Sequence, residues 1–106
     1  RSVKIWSVAT GNCICTCTGH TDEVGKVMFN PTGKTVLTAS DDQTSKLFDT
    51  TTGELLQSLE GHTDVILTCA FNYSGDKILT ASKDNTVREW KAMKVQHFDG
   101  NDVLPL

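Results

Sequence analysis

Residues 61–90 read GHTDVILTCAFNYSGDKILTASKDNTVREW, and residues 19–48 read GHTDEVGKVMFNPTGKTVLTASDDQTSKLF. The two stretches align without a gap. They share Gly61, His62, Thr63, Asp64, Phe71, Asn72, Gly75, Leu79, Thr80, Ala81, Ser82, Asp84 and Thr86 with their counterparts at Gly19 through Thr44. A regular repeat of this length marks one supersecondary unit that cannot bury its apolar face alone and must stack on its neighbours.

Within each copy, short apolar runs alternate with turn residues. Val24 to Phe29, Thr35 to Ser40, Thr44 to Asp49 and Leu55 to Glu60 have strand patterning in the first copy. Ile66 to Phe71, Lys77 to Ser82 and Thr86 to Trp90 have it in the second. The connections Asn30-Pro31-Thr32-Gly33, Asp41-Asp42-Gln43, Thr51-Thr52-Gly53, Asn72-Tyr73-Ser74-Gly75 and Lys83-Asp84-Asn85 carry residues with defined turn roles. Pro fixes φ, Gly accepts positive φ, and Asp caps a tight turn through its side chain. Upstream, Arg1 to Ser7 and Cys13 to Thr18 alternate as two more strands around a Thr10-Gly11 turn. Evenly spaced strands with short turns predict antiparallel meanders, so the fold class is all-β.

After Trp90 the repeat fails. Lys91 stands where the first copy has Asp49, and 91–106 departs from the period. Val95-Gln96-His97-Phe98 is a candidate fourth strand, and Gly100-Asn101-Asp102 loosely echoes Gly61-His62-Thr63-Asp64. The bland alternative is a frayed terminus.

The chain has 106 residues, the length of one ordinary domain, with a formal charge of −3. That balance makes no electrostatic case for nucleic acid or anionic membrane. No apolar run approaches the ~20 residues that span a bilayer, and no signal peptide is visible. The first residue is Arg1 rather than Met, as expected of a processed chain or an excised segment.

Cys13, Cys15 and Cys17 share one face of a strand, with Cys69 far away. Cα atoms two apart on a strand lie roughly 6.5 Å from each other with parallel side chains, at the edge of disulfide reach. Reduced thiols in a cytosolic setting fit better. Parallel thiols do not converge on a tetrahedral metal either, so small apolar strand residues are the reading preferred here. No cofactor site is expected, since Gly33 and Gly75 sit in turns and not between a strand and a helix.

Gly19-His20 with Phe48-Asp49, Gly61-His62 with Trp90, and Trp6 of a partial first unit together resemble the WD-repeat family, whose period is ~40–45 residues. The resemblance covers residues 1 to about 92. It implies a β-propeller segment of about two and a half four-stranded blades, the repeat frame being shifted so that a unit's last strand joins the preceding blade. On that frame 1–18 is a partial blade with the third and outer strands, 19–60 a complete blade, 61–99 a second blade, and 100–106 a tail. Within the family, Cys69 to Asp76 followed by Ser82 to Thr86 resembles the final repeat of factors for the assembly and transport of ciliary outer-arm dynein.

The resemblance implies a structural tetrad of His20, Ser40, Asp42 and Phe48, and again of His62, Ser82, Asp84 and Trp90. Its physical logic is that a loop His bonds a strand hydroxyl and a turn Asp, with a Trp N–H added, because buried polar groups need partners. Phe48 has no N–H, so an incomplete network is expected there. A catalytic triad is the rival reading of His, Ser and Asp. It is disfavoured because the set recurs in both units, as a brace does and an active site need not; the chain is not expected to be an enzyme. Val24, Val27, Phe29, Val36, Leu37, Leu47 and Phe48 are expected in the core, with Ile66, Cys69, Phe71, Ile78, Leu79 and Trp90.

The family's contact positions fall on Glu23, Gly25 and Asp41 in one unit and on Val65, Leu67 and Lys83 in the next. These differ between otherwise similar units, as a protein-binding surface requires; ordinary drift at solvated positions is the competing view. None of the Trp or Phe endings has the Arg of the family's ubiquitin-ligase adaptors. The resemblance implies a protein-binding scaffold, an adaptor for outer-arm dynein assembly or ciliary transport, in the cytoplasm, cilium or flagellum. The alternative is a permanent structural subunit of an axonemal or microtubule-associated assembly. A propeller closes with about four to eight blades. Partners are therefore expected to be other proteins and the remaining blades, from missing sequence or another chain.

Overall fold

The computed structural model describes residues 1–94. The candidate strand 95–98, the echo at 100–102 and the tail 100–106 lie outside the described residues. Nine strands run through 1–94: β1 (Val3–Trp6), β2 (Cys13–Cys17), β3 (Val24–Phe29), β4 (Thr35–Ser40), β5 (Ser45–Asp49), β6 (Leu55–Leu59), β7 (Ile66–Phe71), β8 (Lys77–Ser82) and β9 (Val87–Lys91). They form three antiparallel meanders, β1-β2, β3-β4-β5-β6 and β7-β8-β9. The turns lie where Gly, Pro and Asn punctuate the sequence. Gln43 and Asn85 take positive φ in the equivalent β4–β5 and β8–β9 turns, at 75° and 70°.

The four-stranded sheet is the middle layer. Its β4, TVLTAS, is buried along its whole length, because side chains alternate between two faces and each face is covered. Leu37, Ala39, Leu47 and Leu59 point one way and cluster with Ile66, Cys69, Ile78 and Ala92 of the three-stranded side. Val36 and Phe48 point the other way and cluster with Ile5 and Cys17 of the two-stranded sheet. Register explains the partition, since β4 and β5 pair Leu37 with Leu47 and Val36 with Phe48. Each Val, Leu, Ile or Phe side chain buried this way contributes about 1.5–3 kcal/mol.

Backbone contacts tie the layers as well. An added Cβ at Gly53, in the β5–β6 turn, would stand 2.6 Å from the Thr16 carbonyl oxygen of β2. The turn therefore seats on the neighbouring sheet only because it carries glycine. Gln57 of β6 donates from Nε2 to the Lys91 carbonyl and accepts from the Met93 N–H, both at 2.9 Å. One side-chain amide thus stands in for a strand neighbour at the end of β9.

Three residues expected in the core are exposed: Val27, Phe29 and Leu79. Val24, Phe71 and Trp90 are only half-buried. The reason is which face is covered. Cys69 is buried against the middle sheet, whereas its counterpart Val27 faces the side where only two strands, β1 and β2, are stacked. Leu79 shares its face of β8 and β9 with Glu89, on the side of that sheet turned away from the middle layer.

Candidate functional site

The paired His residues sit in the connections before β3 and β7. In the first unit His20 Nδ1 lies 2.7 Å from Asp42 Oδ2 and its Nε2 lies 2.6 Å from Thr38 Oγ1. In the second, His62 Nδ1 lies 2.8 Å from Asp84 Oδ2 and Nε2 lies 2.7 Å from Thr80 Oγ1. A carboxylate only accepts, so Nδ1 carries the proton and Nε2 accepts from the threonine hydroxyl. Trp90 Nε1–H completes the second chain by donating to Thr80 Oγ1 at 2.9 Å. The bonds then run one way, from Trp to Thr to His to Asp.

The strand hydroxyl is therefore threonine, not the expected Ser40 or Ser82. Ser40 Oγ donates to the Glu23 carbonyl at 2.8 Å and accepts from the Asp42 N–H at 3.1 Å. Ser82 does the same with Val65 and Asp84, at 2.9 and 3.0 Å. The serines lie one side-chain step further along β4 and β8, on the same face but out at the turn. There they fix the aspartate's backbone while the threonines meet the imidazole. Thr38 and Thr80 are identical in the two copies and share the serines' strand parity, which is the signal that could have found them.

Phe48 does not leave its network open. The Lys46 N–H donates to Thr38 Oγ1 at 3.0 Å, and among the described residues no buried side-chain polar atom lacks a partner. His20 meets Phe48 edge-on at 6.4 Å, as His62 meets Trp90 at 6.4 Å. Phenylalanine keeps the ring contact and loses only the N–H.

The aspartates are held as anions. Burial works to raise the Asp42 carboxyl, but bonds from the Thr44 hydroxyl, His20 and two backbone N–H groups outweigh it and bring it down to about 2. At Asp84 the Thr86 hydroxyl leads; His62 and two backbone N–H groups join it against burial and push the carboxyl well below the usual range. With both imidazole nitrogens engaged and the threonines buried, the arrangement pins loop, strand and turn together.

The six expected contact residues lie at one end of the β3–β4 and β7–β8 hairpins. Glu23 and Asp41 are exposed and joined by Asp41 N–H to Glu23 carbonyl at 2.8 Å. Val65 is half-buried and Lys83 exposed, joined by Lys83 N–H to Val65 carbonyl at 2.9 Å. Gly25 and Leu67 occupy equivalent register shifts, between Val24 and Lys26 and between Ile66 and Thr68. A bulge of this kind re-aims a side chain, and Leu67 stands 55% exposed. The backbone frame is the same in both units and the side chains on it differ.

All four cysteines are free thiols. Burial pushes the Cys17 and Cys69 thiols up to about 11 and raises Cys15 in the same direction. Cys15 Sγ donates to the Thr50 carbonyl at 3.3 Å, so it packs the junction between two sheets.

Fold, register and repeated networks together define a segment of a WD-repeat β-propeller. The family model for the WD domain, G-beta repeat matches residues 11–49 and again 53–91; the chain belongs to that family. Nuclear distribution protein PAC1 of Arthroderma otae is 44% identical over 48 residues, 45% of this chain and 10% of that protein. WD repeat-containing protein 37 of Xenopus tropicalis is 38% identical over 48 residues, again 45% of this chain and 10% of that protein. The Lissencephaly-1 homolog of Dictyostelium discoideum is 44% identical over 41 residues, 39% of this chain and 10% of that protein. The chain thus spans 10% of the length of each of these relatives. No helix among the described residues is long and apolar enough to cross a membrane.

Proposed function

We propose that the chain is part of a protein-interaction scaffold whose contacts centre on Glu23, Gly25, Asp41, Val65, Leu67 and Lys83. The observation that carries this reading is the constancy of the frame. Identical bulges and equivalent backbone bonds hold acidic side chains and a glycine in one unit, and apolar and basic side chains in the next. An exposed leucine flanked by charges of both signs suits a protein surface, where an apolar centre supplies affinity and charges fix orientation. Further blades, from the rest of a longer sequence or from another chain, would cover the apolar faces carrying Val27, Phe29 and Leu79.

The particular role favoured is an adaptor for outer-arm dynein assembly or ciliary transport, on the likeness of Cys69–Asp76 and Ser82–Thr86. The test is binding of purified outer-arm dynein to the protein and to a variant carrying Glu23→Lys, Leu67→Asp and Lys83→Glu, with circular dichroism confirming the fold. The expected result is a loss of affinity of tenfold or more, since a central apolar anchor and its charged rim are both removed. Equal binding would remove these residues from the interface, and no binding by either protein would remove the dynein role. A permanent structural subunit of an axonemal assembly would instead stay with the axoneme without exchange in fluorescence-recovery measurements.

A further inference from the structure

At the end of the hairpins opposite those contact residues, two turns share one backbone and differ in charge. In 30–35 the Asn30 N–H bonds the Thr35 carbonyl at 3.0 Å, and the Gly33 N–H bonds the Asn30 carbonyl at 3.0 Å. The Thr35 N–H bonds Asn30 Oδ1 at 3.2 Å. The turn 72–77 repeats these bonds at 3.1, 3.1 and 3.1 Å. Gly33 and Gly75 match as well, with φ of 74° and 77°.

The side chains complete the two turns differently. In the second, Asp76 Oδ1 accepts from Asn72 Nδ2 at 2.6 Å and from Ser74 Oγ at 2.6 Å. A carboxylate gathers the two donors. In the first, the donors remain as Asn30 and Thr32, but the position of Asp76 is taken by Lys34. Among the described residues, neither Asn30 Nδ2 nor the Thr32 hydroxyl has an acceptor, and Lys34 has no ion pair. The turn keeps its donors, adds an ammonium and lacks the anion.

These groups open on a cavity of about 370 Å³ between the two turns, lined also by Ser74, Asp76 and Lys94. The turns touch, since Pro31 Cδ would stand 3.0 Å from a Cβ at Gly75. Among the described lining residues, Lys34 and Lys94 against Asp76 leave one unbalanced positive charge, which a single monoanion neutralises and a dianion exceeds.

We propose that Asn30, Thr32 and Lys34 form a binding site for a carboxylate, the Asp or Glu side chain of an acidic protein segment. It would sit where Asp76 sits in the twin turn, accepting from the amide, the hydroxyl and the ammonium; charge-assisted bonds of this kind are about twice as strong as neutral ones. The site is independent of the contact surface at the other end of the strands.

The test is an NMR titration of the ¹⁵N-labelled protein, at constant ionic strength, with N-acetylglutamate amide, its glutamine analogue and inorganic phosphate. The glutamate compound should shift the Asn30 side-chain amide and the Thr32 and Lys34 signals saturably, at least tenfold more tightly than the glutamine compound. Lys34→Asp supplies an internal carboxylate, so it should abolish binding and raise the melting temperature. Lys34→Met, which supplies none, should weaken binding at least fivefold and serves if Lys34→Asp does not fold. Equal binding of the glutamine analogue, tighter binding of phosphate, or unchanged binding in a folded Lys34 variant would overturn the assignment.

Discussion

Thr80 is the junction of the second network, with one oxygen taking the Trp90 N–H and giving its proton to His62. Thr80→Val keeps the shape and removes both roles, leaving an indole N–H and an imidazole nitrogen buried without partners. Each orphaned group costs about 1–3 kcal/mol. Trp90→Phe keeps a ring edge-on to His62, as Phe48 is to His20, and removes only the indole donor to Thr80, so its polar cost is about 1 kcal/mol. Urea denaturation followed by circular dichroism should show Thr80→Val lowering the midpoint more than Trp90→Phe. A Thr80→Val midpoint at or above that of Trp90→Phe would show that the hydroxyl is not the junction. The histidines and aspartates of this set were legible in the sequence because both recur at one spacing. The hydroxyl was not, because Thr38 and Ser40 lie on the same face of one strand. Only the depth at which the imidazole meets that face separates them.

At the scale of the element, the strands were readable because most apolar runs end at or next to Gly, Pro, Asn or Asp, and because a two-residue alternation leaves little choice of register. What could not be read is a contact that depends on where another sheet's backbone passes. Gln57 is such a case, a polar residue of β6 whose amide replaces a strand neighbour for Lys91 and Met93. Gln57→Leu removes both bonds, worth about 1 kcal/mol each, from the junction between the middle sheet and the end of β9. Hydrogen exchange should register this as loss of protection at the Met93 amide, by about tenfold per 1.4 kcal/mol of lost local stability, with a smaller change at Leu47. Unchanged Met93 exchange would mean that other contacts hold the end of β9.

At the scale of the whole molecule, identical local sequence meets different surroundings. Leu37 and Leu79 are both followed by Thr-Ala-Ser, yet Leu37 is fully buried and Leu79 is 48% exposed. Propensity and pattern assign both to a core; only the layer stacked outside decides which one is covered. The pairing partners register the same difference, for Leu37 sits beside Leu47 whereas Leu79 sits beside Glu89. Glu89 in turn lies 3.8 Å from Lys77. Phe29, 54% exposed on the opposite side of the stack, gives the chain a second open apolar face. Two such faces on one molecule favour head-to-tail association of copies, which need not close. The chain alone should therefore associate with rising concentration in sedimentation velocity, and Leu79→Lys with Phe29→Lys should shift it toward monomer. Neither position is buried, so neither change creates a cavity, and at concentrations low enough for the parent to be monomeric the two melting profiles should match. A parent chain that stayed monomeric at high concentration and melted in one sharp cooperative step would show that these faces need no cover. The propeller segment would then be stable as an open stack.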